Sequence, residues 1–173
     1  GVAAAAPIVA KMTRGAATDD EIASWNFLDE AGFKAVRGLI GLDEVEIGIS
    51  GAAPIPAEIL KWFRAIGVPL SEGYGMSETT AVLSWAAAAK PGFVGTAATG
   101  VEIKLADDGE VLARGGNMFA GYLGLADKTA EAIDSDGWVH TGDIGVIDDE
   151  GYLKIVDRKK ELIITAGGKN ISP

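Results

Sequence analysis

No cysteine occurs in the 173 residues, which excludes disulfides and thiolate metal sites and permits a reducing compartment. Histidine is nearly as scarce: His140 stands alone, so a multi-histidine metal site cannot form. Basic residues are in deficit, 15 Lys and Arg against 25 Asp and Glu, giving a formal net charge of −10. Such a surface repels phosphate backbones, so nucleic acid is not an expected partner, although a small anion held by local donors is not excluded. No apolar run approaches the ~20 residues of a membrane span. The alanine run at 3–6 is too short for a signal peptide and lacks its flanks. What is present is a globular balance: 48% hydrophobic and 23% charged residues, with four Trp and five Phe to fill a core.

Residues 1–17 are alanine-rich, interrupted by Pro7 and Gly15, and read as an irregular start. Thr18-Asp19-Asp20-Glu21 is a capping-box pattern, and Ile22, Trp25 and Leu28 follow at helical spacing. Gly32 breaks that helix; Phe33, Val36, Leu39 and Ile40 suggest a second short one ending near Gly41. Residues 45–49 alternate as a strand does, and a small-residue loop at 51–54 follows. Pro56 then opens a helix whose apolar face is Ile59, Leu60, Phe63 and Ile66, closed by Gly67. Val68-Pro69-Leu70 begins a further strand, and a loop runs from Gly73 to Thr80. The order strand, loop, helix, strand, loop predicts a βαβ unit with parallel strands. Both loops then leave the carboxyl ends of strands, the edge where open α/β sheets bind ligands.

After residue 90 the texture changes. Strands are predicted at 101–105, 110–113, 138–140, 144–147 and 152–156, with a short helix at 127–133. The expected class is therefore α/β: a parallel βαβ portion followed by an antiparallel β subdomain. The expected divisions are 1–90, 91–157 and a hinge segment at 158–173.

Four segments stand out, and each alone has an ordinary reading. Ser50-Gly51-Ala52-Ala53-Pro54 is a turn before a helix, and Ser77-Glu78-Thr79 reads as polar loop or helix cap. Thr141-Gly142-Asp143 reads as a β-turn, and the stretch from Asp157 to Glu161 as a solvated charge run. In this order and spacing, GYGMSETT (73–80), GEVLARGGNMFAGYLG (109–124), WVHTGD (138–143) and DRKKELIITAGGKN (157–170) resemble the adenylate-forming superfamily. The last segment is most similar to long-chain fatty acyl-CoA synthetases (fatty-acid–CoA ligases).

The resemblance implies an ATP-dependent acid–thiol ligase that activates a carboxylate as acyl-AMP and transfers it to CoA. A free carboxylate is a poor electrophile, so the chemistry needs a grip on adenosine and neutralisation of charge at the α-phosphate. By resemblance, Gly51, Ala52 and Ala53 would offer backbone and a flat apolar surface to adenine, and Tyr74 would stack on its other face. Ser77 would hydrogen-bond the α-phosphate, and Glu78 would hold Mg2+. Asp143 would accept the ribose hydroxyls, with Arg158 contacting ribose and phosphate. Gly75 and Met76 would border the acyl pocket, Lys160 would be a hinge between half-reactions, and His140 would be structural.

Two departures shape the expectation. Ile164 stands where many superfamily members carry Lys, a replacement that long-chain enzymes often share. The family's phosphate loop has no counterpart in residues 1–44, and its C-terminal domain would follow Pro173. The chain is thus expected to be a fragment of the longer enzyme. Two other readings stand beside that one: a residual AMP-binding or interaction module without catalysis, and a fatty acyl-AMP ligase that passes its acyl group to a carrier protein. The expected partners are fatty acid, ATP and CoA, with the longer protein in the cytoplasm or peripheral to a membrane surface. Core surface left exposed by a fragment would favour homo-oligomers.

Overall fold

The computed structural model describes residues 1–87 and 90–159, together with the backbone of Ile163–Ile164 and Asn170–Ile171. Lys160 lies outside the described residues. The chain divides into two compact units, Gly1–Glu72 with Ala86–Gly92, and Gly73–Trp85 with Phe93–Pro173.

In the first unit, α1 (Val2–Met12), α2 (Asp19–Leu28) and α3 (Lys34–Leu39) precede β1 (Gly48–Ser50), α4 (Ala57–Ala65) and β2 (Leu70–Tyr74), whose last two residues belong to the second unit. The irregular start expected at 1–17 is instead helical to Met12, with Pro7 inside the helix. Alanine has the highest helix propensity, and fully buried Ala5 joins Phe33, Ala65, Ile66 and Val68 in one core cluster. That packing outweighs the hydrogen bond Pro7 cannot donate.

The capping box forms as predicted: the Glu21 N–H donates to Thr18 Oγ1 at 3.3 Å, and the Thr18 N–H to Glu21 Oε2 at 3.0 Å. Gly32 does not end the helical path. Asp29–Phe33 form a π-helical turn that joins α2 to α3 and delivers Phe33 to the core. Arg37 closes over the turn, pairing with Asp29 and donating to the Ile66 carbonyl at 2.6 Å. Trp25 Nε1 donates to the Ala65 carbonyl at 3.0 Å, tying α2 to α4.

β1 and β2 pair in parallel, with Gly48 opposite Leu70 and Ser50 opposite Glu72. The βαβ order read from the sequence is therefore present, with β1 shorter than the expected 45–49 and displaced toward its carboxyl end. The loop after β1 is pinned by Glu72, a buried carboxylate that accepts the Ile55 N–H at 3.2 Å.

In the second unit, the end of β2 pairs antiparallel with β3 (Ser84–Trp85), and β3 with β4 (Thr96–Ala97). β5 (Val101–Leu105) and β6 (Glu110–Gly115) lead through α5 (Ala126–Ala132) to β7 (Val139–Ile147) and β8 (Leu153–Arg158), an antiparallel sheet in the order β5-β6-β7-β8. Two short strands, β9 (Ile163–Ile164) and β10 (Asn170–Ile171), form a separate antiparallel pair. Val94, Val111 and Leu153 are the buried centre of this unit, with Tyr74, Ile103, Leu105 and Ile155 packed around them. The mixed α/β class read from the sequence holds.

Candidate nucleotide site

The segment Thr141-Gly142-Asp143 is not a turn between two strands. It is a bulge inside β7, since Leu112 pairs with His140 and Glu110 with Ile144, leaving three β7 residues opposite Val111. Gly142 supplies the left-handed backbone the bulge needs, at φ 73°. Thr141 fixes it twice: its hydroxyl donates to the Val111 carbonyl at 2.8 Å and accepts the Asp143 N–H at 3.1 Å. Such a bulge re-aims the side chain that follows, and here that side chain is Asp143.

Asp143 is 4% exposed. Its Oδ2 accepts the Tyr74 hydroxyl at 2.6 Å, and its Oδ1 accepts Arg158 Nε at 3.0 Å. Three residues singled out in the sequence thus come together from β2, β7 and β8. The register explains the last of them, because Arg158 pairs directly across from Asp143. The Tyr74 ring packs on the core cluster, so it is a core ring as well as a site residue. Burial pushes the Tyr74 hydroxyl well above the ordinary tyrosine range, and the bond to Asp143 adds to this, so the phenol stays a donor.

Beneath Asp143 lies a cluster the sequence reading did not find. Glu110, 4% exposed, accepts the Gly142 N–H at 2.9 Å, His140 Nδ1 at 3.1 Å and Lys159 Nζ at 2.8 Å. Lys159 also pairs with Asp108 at 2.7 Å, and its N–H donates to the Gly142 carbonyl at 2.8 Å. Burial pushes the Glu110 carboxyl up, but the bonds from Lys159, His140 and the Gly142 N–H outweigh it and hold the group below its ordinary value. His140 therefore serves this buried carboxylate. A lone glutamate at a strand start carries no sequence signal; burial alone identifies it.

The loop after β2 is folded on itself. Ser77–Thr79 form one 3-10 turn, and buried Thr79 accepts the Met76 N–H at 3.1 Å and donates to the Met76 carbonyl at 3.0 Å. A Cβ on Gly75 would lie 1.7 Å from the Ala81 carbonyl oxygen, so the loop closes only over glycine. The Asn117 side chain clamps the loop, donating Nδ2 to the Thr79 carbonyl at 2.8 Å and the Val82 carbonyl at 3.1 Å, while the Asn117 backbone carbonyl accepts the Thr80 hydroxyl at 2.6 Å. Ser77 is exposed. Glu78 is half-buried, and its Oε1 accepts the Tyr122 hydroxyl at 2.7 Å. That bond raises the Tyr122 pKa. Asn117 and Tyr122 lie within the quoted segment 109–124, yet nothing in their spacing says which loop they hold. Among the described residues no group of three His, Asp or Glu converges as a metal cage. One carboxylate suits Mg2+, which keeps waters and takes phosphate oxygens beside one or two carboxylates.

In the first unit, Gly51, Ala52 and Ala53 form an exposed loop at the carboxyl end of β1. Ala52 has φ 66°, Thr80 φ 52° and Ala81 φ 79°. These are all the positive-φ residues other than glycine among the described residues: Ala52 and Thr80 lie in the two loops singled out in the sequence, and Ala81 directly follows the second. Left-handed backbone costs such residues about 1–2 kcal/mol each. Strain of this kind concentrates at ligand clamps and active sites.

The model of the AMP-binding enzymes matches residues 3–123. The chain belongs to the AMP-binding enzyme family. Among its relatives in that family is the Mycobacterium tuberculosis (strain H37Rv) protein fadD11, whose name places it with the fatty-acid–CoA ligases. It is 49% identical over 161 residues, 90% of this chain and 28% of that protein. The long-chain-fatty-acid–CoA ligase heimdall of Drosophila melanogaster is 43% identical over 146 residues, 81% of this chain and 21% of that one. The chain thus spans about a quarter of the length of these relatives. Among solved structures, o-succinylbenzoate CoA synthetase (MenE) of Bacillus subtilis, in complex with its acyl-adenylate intermediate, matches at a TM-score of 0.67 and 30% identity. That match covers 75% of this chain and 29% of that one. ATP-bound MatB of Rhodopseudomonas palustris matches at 0.65 and 36%, over 72% of this chain and 27% of that one.

Proposed function

We propose that this AMP-binding enzyme chain carries the adenosine-gripping portion of an ATP-dependent long-chain fatty acyl-CoA synthetase. In that reaction a fatty carboxylate attacks the α-phosphorus of ATP, giving acyl-AMP and pyrophosphate. The CoA thiol then attacks the acyl carbon, forming the thioester and releasing AMP. The carrying observation is the Asp143 carboxylate, buried at 4% exposure and held by Tyr74 and Arg158.

An ionised carboxylate has about four acceptor sites, and on Asp143 two are used among the described residues. The remaining one on each oxygen suits a vicinal diol, the arrangement of a ribose. Arg158 is 65% exposed at its side chain, so it can stay on Asp143 and still reach a nucleotide. Ser77, exposed at the loop tip, is the hydroxyl offered to the α-phosphate, with Gly75 and Met76 bordering the acyl group. Gly51, Ala52 and Ala53 are the small residues offered to adenine. Glu78 is the residue that would hold Mg2+, which when bound neutralises phosphate charge. The ligase names of the relatives support fatty acid and CoA as the other substrates. Among the described residues no helix is long and apolar enough to cross a membrane.

Titration of the folded chain with AMP by calorimetry tests the grip. A saturable isotherm is expected, weakened at least tenfold in Asp143→Ala, because each charge-assisted bond lost is worth about 1.5–3 kcal/mol. An Asp143→Ala variant that binds AMP as tightly as the parent chain overturns the ribose role. In the longer protein, ATP consumption should depend on fatty acid and yield AMP and pyrophosphate; ADP as product overturns the reaction.

A further inference from the structure

We propose that Lys159 is a positioning residue for nucleotide binding, a role that rests on Asp143 being the ribose acceptor: its ammonium locks Glu110 against Gly142 and so fixes the bulge that aims Asp143. Glu110 lies on β6, Gly142 on β7 and Lys159 one residue past the end of β8, three neighbours in the sheet. Both ladders shift register beside the bulge, between Glu110 and Leu112 and between Ile144 and Gly145. Gly142 is held there by a closed ring of hydrogen bonds. Its N–H donates to Glu110 Oε1 at 2.9 Å, its carbonyl accepts the Lys159 N–H at 2.8 Å, and Lys159 Nζ returns to Glu110 Oε2 at 2.8 Å.

The role falls to charge rather than to packing. The Lys159 side chain is 43% exposed, so neutralising it opens no cavity, whereas Glu110 is 4% exposed and needs a cation. An ammonium has three donors, and Lys159 uses two of them on carboxylates, Asp108 at 2.7 Å and Glu110. Those pairings hold its pKa above the usual lysine range, so it stays charged. Arg158, one residue earlier, sets Nε on Asp143 Oδ1 at 3.0 Å. Holding Lys159 by backbone and side chain therefore also holds the strand end from which Arg158 reaches Asp143.

A second basic group stands at the same oxygen. His140 Nδ1 lies 3.1 Å from Glu110 Oε2, the atom that Lys159 also meets, and His140 Nε2 lies 4.0 Å from Asp134 Oδ2. Lys159 and His140 thus face Glu110, with Asp108 behind the lysine, and Asp134 and then Lys104 behind the histidine. A protonated His140 between two carboxylates can take the place of Lys159 as counter-ion. Loss of the lysine is therefore felt least at acid pH, where histidine takes up its proton. A lysine that served only packing would give no such recovery.

Calorimetric titration with AMP from about pH 8 to about pH 5.5 spans the histidine range and tests the role. Each affinity is taken relative to the parent chain at the same pH, which cancels the titration of the phosphate itself. At the alkaline end Lys159→Met should bind about tenfold more weakly, the effect of losing one bond to a buried charge, and Lys159→Arg as tightly as the parent chain. Toward the acid end the Lys159→Met deficit should shrink to about twofold, and adding His140→Gln should abolish that recovery. Without nucleotide, the Gly142 N–H should exchange with solvent about tenfold faster in Lys159→Met than in the parent chain. Three outcomes overturn the lock: Lys159→Met binding like the parent chain at the alkaline end, Lys159→Arg binding as weakly as Lys159→Met, or unchanged exchange at Gly142. A recovery that survives His140→Gln overturns the histidine's part. If instead Asp143→Ala binds AMP as tightly as the parent chain, the ribose reading fails, and the Gly142 exchange rate still decides the lock.

Discussion

Glu78 and Tyr122 show how a residue with an ordinary sequence signal gains a defined state from its neighbour. The Tyr122 hydroxyl donates to Glu78 Oε1 at 2.7 Å. Among the described residues the other carboxylate oxygen accepts no hydrogen bond. A donated proton is harder to remove beside a carboxylate, so Tyr122 ionises above the ordinary tyrosine value of about 10. Glu78→Gln removes that charge, and the Tyr122 transition should move down toward the ordinary value. Spectrophotometric titration reads it, with Tyr122→Phe identifying which of the three tyrosines is seen. A curve unchanged by Glu78→Gln would show that the pair is not formed. The candidate residues at Asp143, Arg158 and Tyr74 were visible in the sequence because their segments are diagnostic in order and spacing. Glu110 and Asn117 were not, because their importance comes from burial and from bonds to backbone far along the chain. Asn117 reaches carbonyls 38 and 35 residues away.

At the scale of elements, most of the sheet was legible because period-two alternation and Asp-Gly turns mark it directly. β7 itself alternates buried and half-buried residues from Val139 to Gly145. What alternation could not show is that one strand continues through Thr141-Gly142-Asp143, since a bulge and a turn share the same residue types. α1 failed for a related reason: Pro7 is a local signal against a helix, while the buried contacts of Ala5 are tertiary. The loop after β2 carries the prediction that belongs here. A methyl on Gly75 meets backbone, the Ala81 carbonyl at 1.7 Å, and no rotamer change can relieve it. Ala81 is itself at φ 79°, so the loop has little freedom to retreat. Gly75→Ala should cost about 1–3 kcal/mol, the range for overpacking, and should speed amide exchange across 76–83. Urea denaturation measures the first effect, and a midpoint equal to that of the parent chain would show the close approach to be dispensable.

For the whole molecule, the acidic excess sets the background against which the Glu110 cluster operates. At net charge −10, protonation of carboxylates by acid relieves the repulsion of the chain for itself, which by itself favours the compact state as pH falls. Glu110 runs the other way. Its folded pKa lies below the ordinary glutamate value, so the unfolded chain takes up a proton first. The stability it contributes is complete above that ordinary value, about 4.3, and is lost as pH falls through the lower folded value. Lys159, raised by Asp108 and Glu110, has the opposite sign: its contribution holds at neutral pH and is lost as pH rises through its elevated value. Glu110→Gln removes the charge while keeping the shape. It should lower stability at pH 7 by about 1.5–3 kcal/mol, the worth of hydrogen bonds to a charged group, and flatten the fall between neutral pH and pH ~3. The same substitution loosens Gly142, whose N–H rests on Glu110, and so the bulge that aims Asp143. Thermal unfolding across that pH range, with and without AMP, separates the two consequences. If the variant's pH profile runs parallel to that of the parent chain, the cluster does not couple acid stability to the candidate site.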